Sequence, residues 1–222
     1  EEAVFDHHIY FSSYRATVNS VIRGNELYKN TMVAGQCAST SLVVHGDHAN
    51  LVIEDNYLHE DVGAAAPGCW GIGVDPGTPS PEVFQGAIIR RNKVVNVGNS
   101  AIGCTSCPGA LIENNVIIHQ QGFGVTAIAV PSKTKGANDA PESNAIVRNN
   151  SIYITSGGST GISLGGEGTG HRVVGNAVYF AGSGAWDCLN LGLPSAGYDV
   201  VDYNLCYFPN TTNGEWEAGS GT

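Results

Sequence analysis

Short apolar stretches recur along the whole chain, and each ends in the same arrangement of polar and apolar residues around an asparagine. The clearest copy, residues 50–59, is Asn-Leu-Val-Ile-Glu-Asp-Asn-Tyr-Leu-His. The frame returns at intervals of 23 to 36 residues around seven asparagines: Asn25, Asn56, Asn92, Asn115, Asn150, Asn176 and Asn204. Alternation of apolar and polar positions predicts β-strands, and a repeat of this length predicts a solenoid of stacked coils.

Alignment of the seven copies separates inward from outward positions. The column three residues before the asparagine is apolar throughout: Ile22, Ile53, Ile89, Ile112, Val147, Val173 and Val201. The column two residues after it contains apolar residues and one cysteine: Leu27, Leu58, Val94, Ile117, Ile152, Val178 and Cys206. The column two residues before it alternates in charge over the first five copies: Arg23, Glu54, Arg90, Glu113 and Arg148. Stacked strands lie about 4.8 Å apart, so these columns predict core ladders and an outward charge ladder that fixes the register.

The asparagines themselves are interpreted as structural. Asparagine tolerates left-handed backbone geometry, which suits the bend between two strands, and stacked amides hydrogen-bond along a column. No helical periodicity interrupts the repeat. The pattern therefore predicts an all-β fold: a parallel β-helix of about seven coils over residues 1–209. A polar tail, residues 210–222, is expected to lead into a further segment.

The repeated frame resembles that of the right-handed parallel β-helix family over residues 7 to about 209. That family includes pectate lyases, chondroitinase- and alginate-lyase-like proteins, mannuronan epimerases and phage tailspikes. The resemblance implies a right-handed, single-stranded solenoid, and it covers enzymes and non-enzymes alike. An epimerase-like Asp-Pro-His-Glu motif is absent, since Asp75-Pro76-Gly77 matches only its first two residues. The stacked aspartate ligands of calcium-dependent pectate lyases are not evident either.

The net charge of the chain narrows the classes of binding partner that we expect. Ten basic and twenty acidic residues give the chain a net charge of −10. Nucleic acid is therefore not expected as a partner, because phosphate binding depends on clustered lysine and arginine. A polyanionic sugar would be repelled at long range unless a metal or a local basic patch compensates. No run of about 20 apolar residues occurs, so no membrane span is predicted.

The six cysteines favour secretion or display at the cell surface. Two Asn-X-Ser/Thr sequences, at residues 149–151 and 210–212, are compatible with it, but the first lies inside a repeat strand and carries little weight. The chain has no initiating methionine, so an upstream segment is expected to have been removed. Cys37 and Cys69 precede the first strands of successive coils, which predicts a disulfide between them. Cys188 and Cys206 form a second candidate pair. Cys104 is expected as a buried thiol or in a local disulfide, and no metal site is predicted from the cysteines.

The first strand of each coil carries mostly small outward residues, namely Gly73, Gly103, Ala129 and Ser163, which predicts a smooth shelf for an extended polymer. The exceptions cluster in the first three coils: His8, Tyr10, Ser12, His45 and Asp75. His45 and Asp75 fall in one column, so they are predicted to lie on adjacent rungs.

A histidine beside a carboxylate, with a tyrosine in reach, is suited to removing a proton next to a sugar carboxylate. The candidate catalytic residues are therefore His45, Asp75, Tyr10 and His8. The alternative is an ion pair at the rim of the fold, with Tyr10 covering an exposed end. Both interpretations are compatible with the sequence.

Arg15, Asp47 and His48 are the candidate substrate-binding residues, because they follow the first strands of coils one and two. The loop of residues 76–81 projects from Asp75, and insertions in solenoids usually line the binding face. No cofactor is assigned. A calcium ion is allowed by the resemblance, but no metal ligands are identified.

Two functions from different classes follow. The first is a secreted lyase or epimerase for a uronic-acid polysaccharide, in preference to a glycoside hydrolase, which needs converging carboxylates. The second is a non-catalytic surface, adhesive or fibre-forming module with end-to-end or lateral self-association.

One further column, three residues after each asparagine, is rich in aromatic residues: Tyr28, His59, Tyr153, Tyr179 and Tyr207. It is interpreted either as a sugar-binding face or as a surface packed under an outer loop or a neighbouring chain.

Overall fold

The computed structural model describes residues 7–29, 32–33, 35–37, 39–78, 81–210 and 214–219. Three long parallel sheets run side by side along the molecule, and the chain visits them in turn. The predicted all-β architecture of a parallel β-helix with about seven coils is confirmed. Among the described residues, no helix is both long and apolar enough to cross a membrane.

Sheet A holds the first strand of each coil: β1 (Ile9–Val18), β6 (Leu42–Ala49), β9 (Ile72–Val74), β13 (Ser100–Cys104), β16 (Thr126–Val130), β19 (Ser159–Leu164), β22 (Trp186–Leu191) and β25 (Gly214–Gly219). One more strand, β10 (Val83–Gln85), pairs with the end of β6. Strand β25 lies within the predicted polar tail and adds to sheet A beside β22.

Sheet B contains β2 (Val21–Arg23), β7 (Val52–Glu54), β11 (Ile88–Arg90), β14 (Leu111–Glu113), β17 (Ile146–Arg148), β20 (His171–Val174) and β23 (Tyr198–Asp202). Sheet C contains β3 (Glu26–Tyr28), β8 (Tyr57–His59), β12 (Lys93–Val95), β15 (Val116–His119), β18 (Ser151–Ile154), β21 (Ala177–Phe180) and β24 (Leu205–Tyr207). Within each coil, the strand of sheet B and the strand of sheet C are separated at the asparagine. A short antiparallel pair, β4 (Met32–Val33) and β5 (Gln36–Cys37), and a 3-10 turn, Ser195–Gly197, complete the elements.

The predicted register is present in the strand pairing. Ile53 pairs with Ile22 on one side and with Ile89 on the other, and Leu58 lies between Leu27 and Val94. All of these side chains except the partly buried Ile22, which packs against the others, are buried in one continuous apolar core that extends along the coils. Stacking coils therefore bury apolar side chains that a single coil would leave exposed.

The asparagines form a directional ladder. Asn92 Oδ1 accepts hydrogen bonds from the backbone N–H and the side-chain amide of Asn56, at 3.1 and 3.0 Å. Its own amide donates to Asn115 Oδ1 at 3.1 Å and to the carbonyl of Ile53 at 2.9 Å. Because Asn56, Asn92 and Asn115 are at most 1% exposed, these bonds satisfy polar groups that water does not reach.

One expectation about the corner is wrong. The left-handed residue is not the ladder asparagine but the residue before it in every copy: Gly24, Asp55, Arg91, Asn114, Asn149, Gly175 and Tyr203, with φ between 54° and 69°. The preceding residue makes the bend, and the asparagine can then point its side chain inward to join the ladder.

The charge ladder centres on Glu54, whose side chain is 1% exposed and receives hydrogen bonds from Arg23, Arg90 and Arg91. Arg148 and Glu113 form a second pair at 2.7 Å.

Three disulfides join Cys37 to Cys69, Cys104 to Cys107 and Cys188 to Cys206.

Candidate active site

His45 and Asp75 lie side by side at the edge of sheet A. Strands β6 and β9 pair in register through Val44 and Val74, which places the next residue of each strand on adjacent rungs. The Nδ1 atom of His45 is 2.6 Å from the backbone carbonyl oxygen of Asp75 and 3.3 Å from its carboxylate oxygen Oδ1. The predicted adjacency is confirmed, whereas the roles of the two residues stay predictions.

This contact determines which nitrogen of His45 can act as a base. A carbonyl oxygen only accepts hydrogen bonds, so Nδ1 must carry the hydrogen. In the neutral ring the lone pair is then on Nε2, and no described residue forms a hydrogen bond with that atom. The side chain of His45 is 13% exposed. Nε2 is therefore the nitrogen that can accept a proton.

Asp75 is a buried carboxylate with a cationic partner. Its side chain is 6% exposed, and the Lys133 ammonium lies 3.1 Å from Oδ1. Burial raises the pKa of Asp75 above its ordinary value, and the positive charge of Lys133 partly offsets that rise. Lys133 was not identified as a site residue from the sequence.

The backbone of Lys133 is held in place by Thr105, a residue of the preceding coil. Its backbone N–H donates to Thr105 Oγ1 at 3.0 Å, and that hydroxyl also lies 2.7 Å from Ser132 Oγ. Thr105 occupies the column of His45 and Asp75 in the next coil. The column therefore supplies both the histidine–aspartate pair and the anchor for the cation that faces it.

A loop held by Glu82 packs against the His45 ring. Glu82 is 1% exposed, and its carboxylate accepts hydrogen bonds from the backbone N–H groups of Gly77 and Thr78, at 3.0 and 2.8 Å. A Cβ atom at Gly77 would lie within 2.7 Å of three atoms of the imidazole. Glycine at this position therefore allows the loop to act as a close wall for the ring. Glu82 was also missed from the sequence.

Tyr10 is the most exposed candidate near the pair. It lies on the outward face of β1 and is 58% exposed. Its ring meets that of His45 edge-on, with centroids 5.4 Å apart. The tyrosine ring is thus close to the imidazole and largely open to solvent.

Two predicted histidines are engaged elsewhere. The ring of His8 bonds to Ser41 Oγ and to the carbonyl of Tyr28, both at 2.9 Å, so it lies where sheets A and C meet. His48 is 1% exposed, and its ring nitrogens contact Thr17 Oγ1 at 2.5 Å and the carbonyl of His45 at 2.9 Å. Neither ring has a free nitrogen facing His45, so we do not include either in the proposed site.

Among the described residues, Arg15 and Asp47 form no hydrogen bond or ion pair with the His45 or Asp75 side chain. Arg15 is exposed within β1, where the pairing with β6 is irregular between Ser13 and Thr17. Asp47 is half-buried in β6.

The predicted open shelf is partly covered. Gly73, Gly103 and Ala129 are all buried, because neighbouring loops approach the small residues. A Cβ atom at Gly103 would lie 2.6 Å from the Cβ of Ser132. The small side chains leave room for these loops, whereas Ser163, further along the same sheet, is half-buried.

One group of three potential metal ligands occurs within the described ranges: Cys37, Cys69 and Glu60, with ligand atoms within 4.8 Å of one another. The two cysteines form a disulfide, so they offer no thiolates. Asp75 and Glu82 belong to no such group in the described part of the chain.

Comparisons of the chain with protein-family models, with curated proteins and with solved structures gave no match. The assignment of chemistry therefore depends on the geometry around His45.

Proposed function

We propose that this protein is an extracellular, carbohydrate-active β-helix protein that acts as a lyase or epimerase on a uronic-acid-containing polysaccharide. The observation that carries the proposal is the contact of His45 Nδ1 with Asp75, which leaves Nε2 as the basic nitrogen. Both reactions begin with removal of a proton from the carbon next to a carboxylate, and a positioned imidazole is suited to that step.

Asp75 orients the base in this proposal. Its carbonyl holds the ring, and its carboxylate lies 3.3 Å from Nδ1. A negative charge at that distance stabilises the imidazolium that forms when Nε2 takes the substrate proton. Asp75 thus acts through His45 and does not need to touch the substrate.

Lys133 supplies the positive charge that an anionic substrate requires. The whole chain carries a net charge of −10, so an acidic sugar approaches against the overall field. The Lys133 ammonium, 3.1 Å from the Asp75 carboxylate, provides a local cation beside the base. A fixed cation near the substrate carboxylate lowers the free energy of the carbanion-like transition state.

Tyr10 completes the proton transfers. In an elimination, His45 takes the proton, the electron pair forms a carbon–carbon double bond, and the glycosidic carbon–oxygen bond breaks. The leaving oxygen then takes a proton from the phenol of Tyr10. In an epimerisation, the glycosidic bond stays intact and the phenol returns a proton to the opposite face of the same carbon.

Two further features support the proposal of an extracellular protein that acts on a uronic-acid polysaccharide. The repeat frame resembles that of pectate-lyase-like proteins, many of which act on uronic-acid polymers. Three disulfides are compatible with an extracellular protein.

The alternative is a non-catalytic surface, adhesive or fibre-forming module. The low exposure of the His45 side chain, 13%, favours it, because a structural rim histidine needs no access to solvent. The mutual pairing of Asp75 with Lys133 is equally compatible with a structural role.

The test is incubation of the full chain with pectate, alginate and chondroitin while the absorbance of unsaturated products is followed. Loss of the signal in His45→Gln, with retention in His59→Gln, is expected for a lyase. His59 is a matched control because it lies in sheet C, paired with Glu26. Neither elimination nor epimerisation on any polymer, by absorbance or by NMR of the recovered chains, would overturn the proposal.

A further inference from the structure

A second surface, on sheet C, has a different chemistry from the His45 site. A groove of about 450 Å³ runs across β15, β18, β21 and β24. Its lining includes Ser151 and Ala177, together with Tyr153, Tyr179 and Tyr207. The rings of Tyr153 and Tyr179 stack with centroids 5.5 Å apart, and the Tyr207 ring lies 5.3 Å from that of Tyr179. Its volume is within the range of small-molecule binding sites.

The groove is open to solvent. Tyr179, Tyr207 and Leu205 are 38%, 52% and 62% exposed. The earlier alternative of packing under an outer loop is therefore not what the described residues show. Contiguous exposed apolar surface is uncommon on soluble proteins and usually marks an interaction site.

The size of the groove argues against a second copy of the chain as its occupant. Four strands spaced about 4.8 Å apart, each presenting roughly 10 Å of length, give a face of about 200 Å². A stable dimer usually buries about 800 Å² on each partner. A narrow strip of this kind fits a linear chain better than a folded protein.

The lining side chains define the chemistry of that chain. None of them is acidic or basic, in a protein with a net charge of −10. The hydroxyls of Tyr153, Tyr179 and Tyr207 form no hydrogen bond with another described residue, so they are available to a ligand. Carbon surface edged by free hydroxyl groups suits an uncharged, polyhydroxylated chain, because tyrosine combines an apolar ring with a polar tip.

We propose that this groove binds an extended segment of a neutral polysaccharide. The site lies on sheet C, whereas the His45 site lies on sheet A, so binding here does not depend on the proposed catalytic function. The groove would hold the protein on neutral glycan whether or not His45 acts on an acidic one.

The experiment is affinity gel electrophoresis of the full chain in gels containing hydroxyethyl cellulose, galactomannan or xyloglucan. At least one of these neutral polymers is expected to retard the protein. Tyr179→Ser should weaken that binding about tenfold, because it removes the central ring of the groove. Ser151→Glu, at an exposed lining position, should weaken binding by placing a negative charge in the groove.

Two controls separate this proposal from the others. Tyr203→Ser removes a tyrosine that is 80% exposed but outside the groove, and it should leave binding unchanged. His45→Gln should also leave binding to the neutral polymers unchanged, so a failure of the lyase proposal can be told apart from a failure of this one. Absence of retardation by all three polymers would overturn the proposal. Retardation that neither Tyr179→Ser nor Ser151→Glu weakens would also overturn it. The same holds if, in place of glycan binding, the groove mediates a dimer detected by sedimentation or binds phosphatidylcholine vesicles.

Discussion

The imidazole of His45 donates its Nδ1–H to the backbone carbonyl of Asp75 across 2.6 Å, between adjacent strands of sheet A. A backbone acceptor cannot change its protonation, so the tautomer of the neutral ring is fixed by the fold. This relationship connects the register of the repeat, which places the two residues on adjacent rungs, to the proposed chemistry at Nε2.

Substitution of Gly77 should disturb the site from the side of the loop. In Gly77→Ala the new methyl group would lie within 2.7 Å of three atoms of the His45 ring, so the ring or the loop must move. We expect a stability loss of about 1–3 kcal/mol and a fall in activity of about a hundredfold from misplacement of the base. The measurements are thermal unfolding and initial rates. Gly122→Ala is the control, since a Cβ atom there would meet nothing within 4 Å. Equal effects of the two substitutions would contradict the close packing.

Removal of Lys133 should raise the pKa of Asp75 further. Lys133 is the strongest influence that lowers this pKa against the effect of burial. In Lys133→Gln the Asp75 carboxyl should therefore titrate at higher pH, measured by the NMR chemical shift of its side-chain carbon. Lys93→Gln, in sheet C, should leave the titration unchanged. An unchanged or lower Asp75 pKa in Lys133→Gln would show that the ion pair does not form in solution.

Glu142 should make stability depend on pH near neutrality. Its side chain is fully buried, and burial raises its pKa to about 7. Because the folded pKa exceeds the unfolded value of 4.5, its contribution is fully present below pH 4.5 and is lost as the pH rises through about 7. The loss amounts to roughly 3 kcal/mol. Denaturant unfolding of the wild type and Glu142→Gln from pH 4 to 8 measures it.

In Glu142→Gln this component of the pH dependence should disappear, because glutamine can still accept the hydrogen bond from the Cys107 N–H. Glu26→Gln, at a side chain that is 70% exposed, should retain it. A wild-type stability that rises steadily from pH 5 to 8, or a Glu142→Gln profile identical to the wild type, would contradict the raised pKa.

Substitution of a ladder asparagine by alanine should cost the most stability at the centre of the ladder. Asn115→Ala leaves the backbone N–H and side-chain amide of Asn92 without their acceptor, and the Ile89 carbonyl without its donor. Asn115 is 0% exposed, so water cannot replace these bonds, and a loss of about 3–5 kcal/mol is expected. Asn204→Ala removes similar bonds at a half-buried position and should cost less. Equal losses in the free energy of unfolding for Asn115→Ala and Asn204→Ala, measured with urea, would contradict the role of burial.

The sequence was sufficient for the parts of the structure that repeat. The apolar columns through Ile53 and Leu58, the charge at Glu54 and the adjacency of His45 and Asp75 all follow from a constant frame. A repeated interval forces the same register in each coil, so one aligned column predicts many contacts.

Parts of the candidate site that lie in loops could not be predicted. Lys133 and Glu82 reach the site from insertions of different length, and nothing in their local sequence specifies where those loops fold. The placement of His48 was missed for another reason. A polar residue at the end of a strand can point outward or into the core, and only the partners Thr17 and His45 decide between the two. The left-handed corner before each asparagine is occupied by five residue types, including tyrosine, so composition alone does not reveal it.

The central claim is that His45 removes a proton from the carbon next to a sugar carboxylate. The most direct measurement is NMR detection of deuterium incorporated at that carbon, or of the elimination product, when the polymers are incubated with the protein in D₂O. We expect exchange or elimination with the wild type, at least a hundredfold less with His45→Gln, and undiminished reaction with His59→Gln. Reaction at the wild-type rate in a folded His45→Gln variant, or no reaction of the wild type with any uronic-acid polymer, would contradict it.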